Sequence, residues 1–572
     1  MKKQLLSILG AGFLMLSSIQ TFAQIVLLVQ SPSNLAGSYN FTYSSSNAWG
    51  ADMDTVAITA PVAFAYDATA EDSLACETIV NTSEVAGKIA VLYRGSCNFS
   101  LKAFNVQEAG AVACVIINNV SGGPVGMGAG DFGADVTIPV VMISDVDGAL
   151  LREDILAGNV TMFLGNNTGL FANNVGVYNA HIAMAKSASL PVQFAESSTD
   201  FFVPIGAWVH NYGSADATNV VVSATVDRDG DEQYSETSSP GNIPVGDSLL
   251  FALDDFSLNG YGAGLYTITY TITSDNSDEF PDDNEITSTF WINEEGIYSK
   301  SRVSPTDGPL GSNGLRPANG TEYQWCVMMR SENASAMAVT GMTFNTLGST
   351  IDLTGEAVQL ALYEWNDEFD GTVAPTFDDL TELTDNEFYD YADDLQGEFV
   401  THTFAQPIEL TDDTKYLACA TIFTDDMFLG VDQGLDYNVT YDGYPTDIFF
   451  PLNDIDASTW YSGGFGTDNV PAIIVNLTEA NGIAEDIEAL DVTPYPNPTV
   501  DRINIPFGVQ MNGTVNVHVY DVAGKLVMTD ELCLKNNSSI TMDVTALTTG
   551  LHTFELTFED NSTTSFRVVV TK

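Results

Sequence analysis

Short, unbroken apolar runs separated by amphipathic stretches mark the first third of the chain. Residues 89–93, Ile-Ala-Val-Leu-Tyr, read as a short apolar strand, and the later run 111–118 lacks polar alternation, as a strand covered on both faces does. Ser100 is placed to cap a helix running to about residue 109, and Gly110 to end it. A second apolar strand is predicted over 111–118, a third over 138–144, and an amphipathic helix over 147–157. A glycine-rich loop, 121–133, joins the second and third strands. This order predicts an α/β unit within residues 25–170.

Beyond it the period changes to two. In residues 266–272, Tyr-Thr-Ile-Thr-Tyr-Thr-Ile, alternate side chains point in and out, and similar strands are expected at 219–226 and 286–292. Residues 175–295 therefore read as an immunoglobulin-like β-sandwich. Strands at 358–364, 399–404, 416–423 and 472–477, interrupted by long acidic loops, predict a further jelly-roll-like β-sandwich over 300–480. Residues 481–491 read as a polar linker before a last β-rich stretch, 492–572. The predicted fold class is thus mainly β and multidomain, as a length of 572 residues also requires of several separate cores.

At the start, the basic cap Met1-Lys2-Lys3, the apolar stretch 5–16 and the small residue Ala23 before Gln24 make residues 1–23 a signal peptide. No later run reaches the roughly 20 apolar residues of a membrane span, so none is expected in the mature chain. Export permits disulfides; Cys114, inside the apolar run 111–117, reads as a buried thiol, and Cys326, Cys419 and Cys533 are left unassigned.

Two stretches carry resemblances. Gly87-Lys88-Ile89-Ala90-Val91-Leu92-Tyr93-Arg94-Gly95-Ser96-Cys97-Asn98-Phe99, then Lys102, Glu108-Ala109-Gly110-Ala111, Val115 to Asn119 and the strand from Ile138 to Ser144, resemble the protease-associated (PA) domain. The resemblance implies a barrel-like sandwich with flanking helices, no catalytic centre of its own, a lid or interaction role often alongside peptidases, and a Cys76–Cys97 disulfide. Tyr495-Pro496-Asn497-Pro498-Thr499, the run from Val517 to Val527 with Gly524 and Lys525, and the closing strand from Phe566 to Lys572 are similar to the type A C-terminal sorting domain of type IX secretion. That implies a C-terminal β-sandwich, the type IX secretion machinery as partner, and release or attachment to surface lipopolysaccharide. The ends of the 175–295 region, Val-x-Asn-x-Gly and Asp283-Asn284-Glu285, resemble bacterial adhesion-type modules.

Composition narrows the chemistry. With 76 acidic against 18 basic residues and a formal charge of -58, the chain cannot neutralise phosphates, so nucleic acid is excluded as a partner. Asp227, Asp229, Asp231 and Glu236 alternate around Gly230 and form the candidate Ca2+ loop; Asp367, Glu368 and Asp370 form a second, less regular cluster. The five histidines, at 181, 210, 402, 518 and 552, are scattered in sequence, and no His-Glu-x-x-His occurs. Gly246-Asp247-Ser248-Leu249 matches a hydrolase signature only superficially, and Ser248 reads as entering a strand. Gly122, Gly123, Gly126, Met127 and Gly128 are the candidate ligand loop, since no Lys-Ser/Thr follows to make a phosphate cradle. The reading favours a secreted or cell-surface, non-catalytic binding protein with an extracellular protein or glycan ligand. The alternatives are an extracellular hydrolase with catalytic carboxylates in 300–480, or a structural, adhesive surface component.

Overall fold

The computed structural model describes residues 24–572 apart from 312, 319–320, 349–350, 370–373, 386, 481–493, 523 and 558–562. The predicted leader 1–23, the linker 481–491 and Asp370 lie outside the described residues. The chain divides into two compact units, the first reaching Ser335 and resuming over Val339–Thr478, the second comprising Ala336–Ala338 and Glu479–Lys572.

The first unit opens with an eight-stranded sheet. Its strands are β1 (Ile25–Ser31), β2 (Gly37–Ser38), β3 (Phe41–Tyr43), β4 (Ala57–Phe64), β5 (Ile89–Tyr93), β6 (Ala113–Ile117), β7 (Val140–Ile143) and β8 (Thr161–Asn166). They are ordered β2-β1-β8-β4-β5-β6-β7-β3, and β4 to β7 run parallel. Helices α1 (Thr82–Val85), α2 (Phe99–Glu108) and α3 (Asp145–Ala157) connect them. The unbroken apolar runs are explained by cover on both faces. Ile89, Val91, Val115, Ile117, Val141 and Ile143 pack with Leu151 and Ile155 of α3, while Ala90, Leu92, Cys114, Ile116, Val140 and Met142 pack with Ala103 and Val106 of α2. Each fully buried aliphatic side chain of this kind contributes about 1.5–3 kcal/mol. A Cβ at Gly148 would collide with Ile117, so glycine is what lets α3 lie this close to β6.

Helix starts differ from expectation. Ser100 does not cap α2, which begins at Phe99; its hydroxyl is buried and accepts from the Phe132 amide at 3.3 Å, tying down the following loop. The second helix starts at Asp145, two residues early, because Ser144 Oγ accepts from the Asp147 amide at 2.9 Å and two aspartates occupy the first turn.

Further on, Asp231–Thr237, Ala217–Arg228, Gly264–Thr273 and Glu285–Asn293 form one sheet, and Ser248–Ala252, Gly206–Asn211 and Val175–Gly176 a second. The first of these does not stop near residue 295. Ser189–Pro191 runs parallel to Glu285–Asn293 and also bridges, at Ser189 and Ser299, to Ile297–Ser299, which in turn pairs with Ile473–Glu479. Hydrogen bonding is thus continuous from the 175–295 region into the 300–480 region, ending in a 13-stranded sheet. A seven-stranded sheet completes the latter; in it Tyr323–Met329 pairs with Tyr416–Ile422, and Cys326 and Cys419, directly opposite, are bonded. This supplies partners that the sequence left unassigned.

The second unit is a four-stranded antiparallel sheet, Leu526–Asp543, Arg502–Tyr520, Gly550–Thr557 and Thr563–Val570 in that spatial order. Ile503, Ile505, Val517, Val519, Phe554, Leu556, Val568 and Val570 form its core.

Candidate functional site

The glycine-rich loop follows β6, at the carboxyl end of the parallel strands, where open α/β sheets place their ligands. Its exposed backbone is pinned on all sides. Asn118 Nδ2 donates to Gly123 O at 2.8 Å, the Gly122 amide to Asp145 Oδ1 at 3.3 Å and Thr42 Oγ1 to Val125 O at 2.7 Å. Met127 is fully buried, and Trp49 Nε1 donates to its carbonyl at 2.7 Å. The predicted ligand residues therefore divide: Gly122, Gly123, Gly126 and Gly128 face solvent, while Met127 is the anchor. Exposed apolar side chains are Val120 (55%) just before the loop, Val125 (36%) on it, and Val146 (70%) and Leu150 (56%) one helical turn apart on α3, whose first residue, Asp145, accepts from the Gly122 amide.

Cys76 and Cys97 are bonded. Burial works against ionising nearby Asp67, but hydrogen bonds from Thr69, Glu77 and Cys76 hold its carboxyl below the usual range. Beneath the disulfide, Lys102 is fully buried and donates to Leu74 O at 2.6 Å; burial lowers its pKa to about 8, with Cys114, Asp67 and Glu71 opposing. Burial pushes the Cys114 thiol up to about 12, which makes it inert at neutral pH.

The proposed calcium loop is not assembled. Asp229 and Gly230, at φ +51° and +90°, form a two-residue hairpin turn that reverses the chain, so Asp227 pairs with Glu232 and Arg228 with Asp231. Asp229 Oδ1 accepts from the Leu265 amide, and Glu236 Oε2 from Tyr234 Oη and the Asp254 amide. Among the described residues no group of three or more His, Cys, Asp or Glu is placed to hold a metal ion. The second cluster also diverges, since Asp367 is buried on Thr376 and Asp379 while Glu368 is exposed.

Two of the histidines scattered in sequence meet in space. The rings of His181 and His210 meet with centroids 4.0 Å apart and planes tilted by 34°, and burial pushes their pKa values to about 4 and 3. Ser248 lies across the ladder from His210, but it begins a regular strand and an imidazole so strongly depressed is a weak proton acceptor. His402 contacts Glu387 at 2.7 Å and His552 contacts Thr548 O at 2.8 Å.

A cleft of about 170 Å³ in the first unit was not visible in the sequence. Lys186, Lys300 and Arg330 converge there on Asp447. Lys186 Nζ also sits 3.9 Å from the Phe202 ring and 4.7 Å from that of Tyr444. Each cation already has a protein partner, so the cluster reads as a clasp between the two β-regions.

In the second unit, Tyr495 exchanges backbone hydrogen bonds with Asn504, and Asn497 bonds to Arg567 O and the Val569 amide at 2.9 Å each. These contacts hold the Tyr495-Pro496-Asn497-Pro498 segment against the last strand while Tyr495 stays 56% exposed. Gly524, at φ +77°, and Lys525 close a turn on Asp521.

Residues 58–151 match the PA domain family and residues 493–571 the Secretion system C-terminal sorting domain family. The chain thus carries a PA domain and a secretion sorting domain. It is exported, to the medium or the outer surface, by the type IX machinery. No described helix is long and apolar enough to cross a membrane.

Over 95 residues the chain is 37% identical to ER degradation-enhancing alpha-mannosidase-like protein 3 of Xenopus laevis, covering 15% of this chain and 10% of that one. Over 160 residues it is 30% identical to probable leucine aminopeptidase 2 of Aspergillus fumigatus, covering 27% and 31%. The chain thus spans between a tenth and about a third of these curated relatives. Among solved structures it is similar to an aminopeptidase from Aneurinibacillus sp., at 21% identity over 25% of this chain and 30% of that one, with a TM-score of 0.19.

Proposed function

We propose that this chain is a non-catalytic extracellular binding protein whose PA domain captures a protein or peptide ligand. The observation that carries the reading is the pinned loop 119–128 with Val120, Val125, Val146 and Leu150 exposed beside it. A backbone held in place before the ligand arrives loses little entropy on binding, and clustered exposed apolar side chains mark contact surfaces. The curated relatives fit an accessory role, because a limited stretch shared with them belongs to longer proteins named for peptidase and mannosidase-like activities.

The test uses the immobilised exported protein, challenged with a phage-displayed peptide library and with a panel of polysaccharides. Peptides should be enriched, and the substitutions Val120→Asp and Val146→Asp together should abolish their retention, while Val527→Asp in the sorting domain leaves it intact. Retention of polysaccharides alone, or steady turnover of casein or any polysaccharide by the purified protein, would overturn the proposal.

A further inference from the structure

The seven-stranded sheet of the first unit carries a row of uncharged side chains across one face. Its pairing sets Trp460 of Thr459–Tyr461 opposite Asn453, Asn453 opposite Gln324, Gln324 opposite Thr421, Thr421 opposite Gln359, and Gln359 opposite Phe388 of Glu387–Asp390. Residues directly opposite in a ladder share a face, so an aromatic ring, four amide or hydroxyl side chains and a second ring follow one another over six strands. At about 4.8 Å per strand the two ends stand roughly 24 Å apart. On the other face Tyr323, Trp325, Val358 and Leu360 are sealed from solvent.

The middle of the row is spent on itself. Gln324 Nε2 donates to Thr421 Oγ1 at 3.0 Å and to Tyr363 Oη at 3.3 Å, which positions the Tyr363 hydroxyl on the same face, four residues along the strand from Gln359. The rest is not. Asn453, Gln359 and Trp460 are partly exposed, and among the described residues their side-chain N–H groups have no protein acceptor. Trp460 ends a three-ring stack: it lies 4.4 Å from Phe377, which lies 4.9 Å from the buried Trp365, so its plane is fixed in advance. At the other end Phe388 and Phe423, each 39% exposed, stack at 6.2 Å. Rings held in place, with neutral donors and acceptors between them, fit one chemistry. A sugar ring lays its C–H groups on an aromatic face and turns its hydroxyls to amides and phenols. No charged residue stands in the row, and a chain of formal charge -58 repels anions.

We propose that this face binds an uncharged oligosaccharide, which stacks on Trp460 at one end and on Phe388 and Phe423 at the other and meets Asn453, Gln359 and Tyr363 between them. The distance between the two platforms calls for a chain of several sugars rather than one. The site lies outside residues 58–151 and stands whether or not the PA domain captures peptides.

The test titrates the full exported chain, by calorimetry, with hexasaccharides of glucose, mannose, xylose and galactose, with their disaccharides, and with a hexamer of galacturonic acid. At least one neutral hexasaccharide should bind, at least about tenfold more tightly than its disaccharide, and equally well in 0.05 and about 0.5 M NaCl, since no charge pairs form. Phe388→Ala should weaken it about tenfold, and Asn453→Ala with Gln359→Ala at least about fivefold, while Val120→Asp with Val146→Asp leaves it unchanged. Both sets remove exposed or unpartnered groups, so they report on the site even where Trp460→Ala, which opens the ring stack, does not fold. Failure of all four neutral hexasaccharides to bind overturns the proposal, as does tighter binding of the uronate, equal affinity for the disaccharide, or unchanged affinity in both the Phe388 and the amide variants. So does loss of peptide retention in Phe388→Ala with glycan binding intact. Loss of peptide retention in the Val120 and Val146 variant bears on the PA domain alone.

Discussion

Replacing Lys300 by methionine should change how the protein responds to alkaline pH. Lys300 is fully enclosed in the clasp, with Nζ donating to Lys186 O at 2.5 Å and Asp447 O at 3.0 Å. Burial lowers its pKa from 10.5 to about 7, with Asp447 opposing the shift and Lys186 adding to it. The unfolded chain keeps this proton up to pH 10.5, whereas the folded chain releases it above about 7. Between these values the unfolded state binds more protons, so the contribution of Lys300 to stability rises with pH, by up to about 1.4 kcal/mol per pH unit. From pH 7 to 9 that amounts to about 2.3 kcal/mol, or roughly 2–3 °C in melting temperature for a unit of this size. Methionine preserves the packing but leaves two carbonyls unpaired, an offset of about 1–3 kcal/mol each that does not vary with pH. Scanning calorimetry of both proteins from pH 6.5 to 9 isolates the term, because every other titrating group cancels in the difference. The native protein should gain on Lys300→Met as pH rises. Parallel curves would refute the reasoning and mean that the lysine stays protonated in the fold.

Three further outcomes follow from described contacts. Cys326→Ala with Cys419→Ala opens a loop of 93 residues and should destabilise the first unit by up to about 4 kcal/mol, read as an earlier urea midpoint with a steeper slope, since the denatured chain is freed to expand. Trp49→Phe removes the indole N–H that holds the Met127 carbonyl and should weaken peptide retention by the PA domain about five- to tenfold, without changing far-ultraviolet circular dichroism. Asn497→Ala frees the Arg567 carbonyl and the Val569 amide and should destabilise the sorting domain by about 1–3 kcal/mol; secretion assays should show it accumulating in the periplasm, as deletion of 492–572 would.

Local pattern carried the PA domain a long way. The strands at 89–93, 113–117 and 140–143 fall within or on the apolar runs, because burial on both faces leaves a one-dimensional mark. Contacts between distant segments leave none. Cys326 and Cys419 meet only because two strands 93 residues apart are neighbours in a sheet. Lys186, Lys300 and Arg330 gather on Asp447 by the same means, and so do His181 and His210. The acidic hairpin misled for a different reason. Alternating carboxylates share a face only while the strand continues, and Asp229-Gly230 turns the chain in the middle of the set. Met127 shows the limit of composition: within a loop of glycines it is the buried anchor, which spacing alone does not reveal.

The short strand Ser189–Pro191, lying between Glu285–Asn293 and Ile297–Ser299, has a mechanical meaning. A protease that cut the connecting turn at 294–296 would leave Ser189–Pro191 in the N-terminal piece, still bridged at Ser189 to Ser299 of the C-terminal piece. Nicked chains of this kind would migrate as one particle under native conditions and as two fragments only in denaturant, an advantage for a molecule that spends its working life among extracellular enzymes.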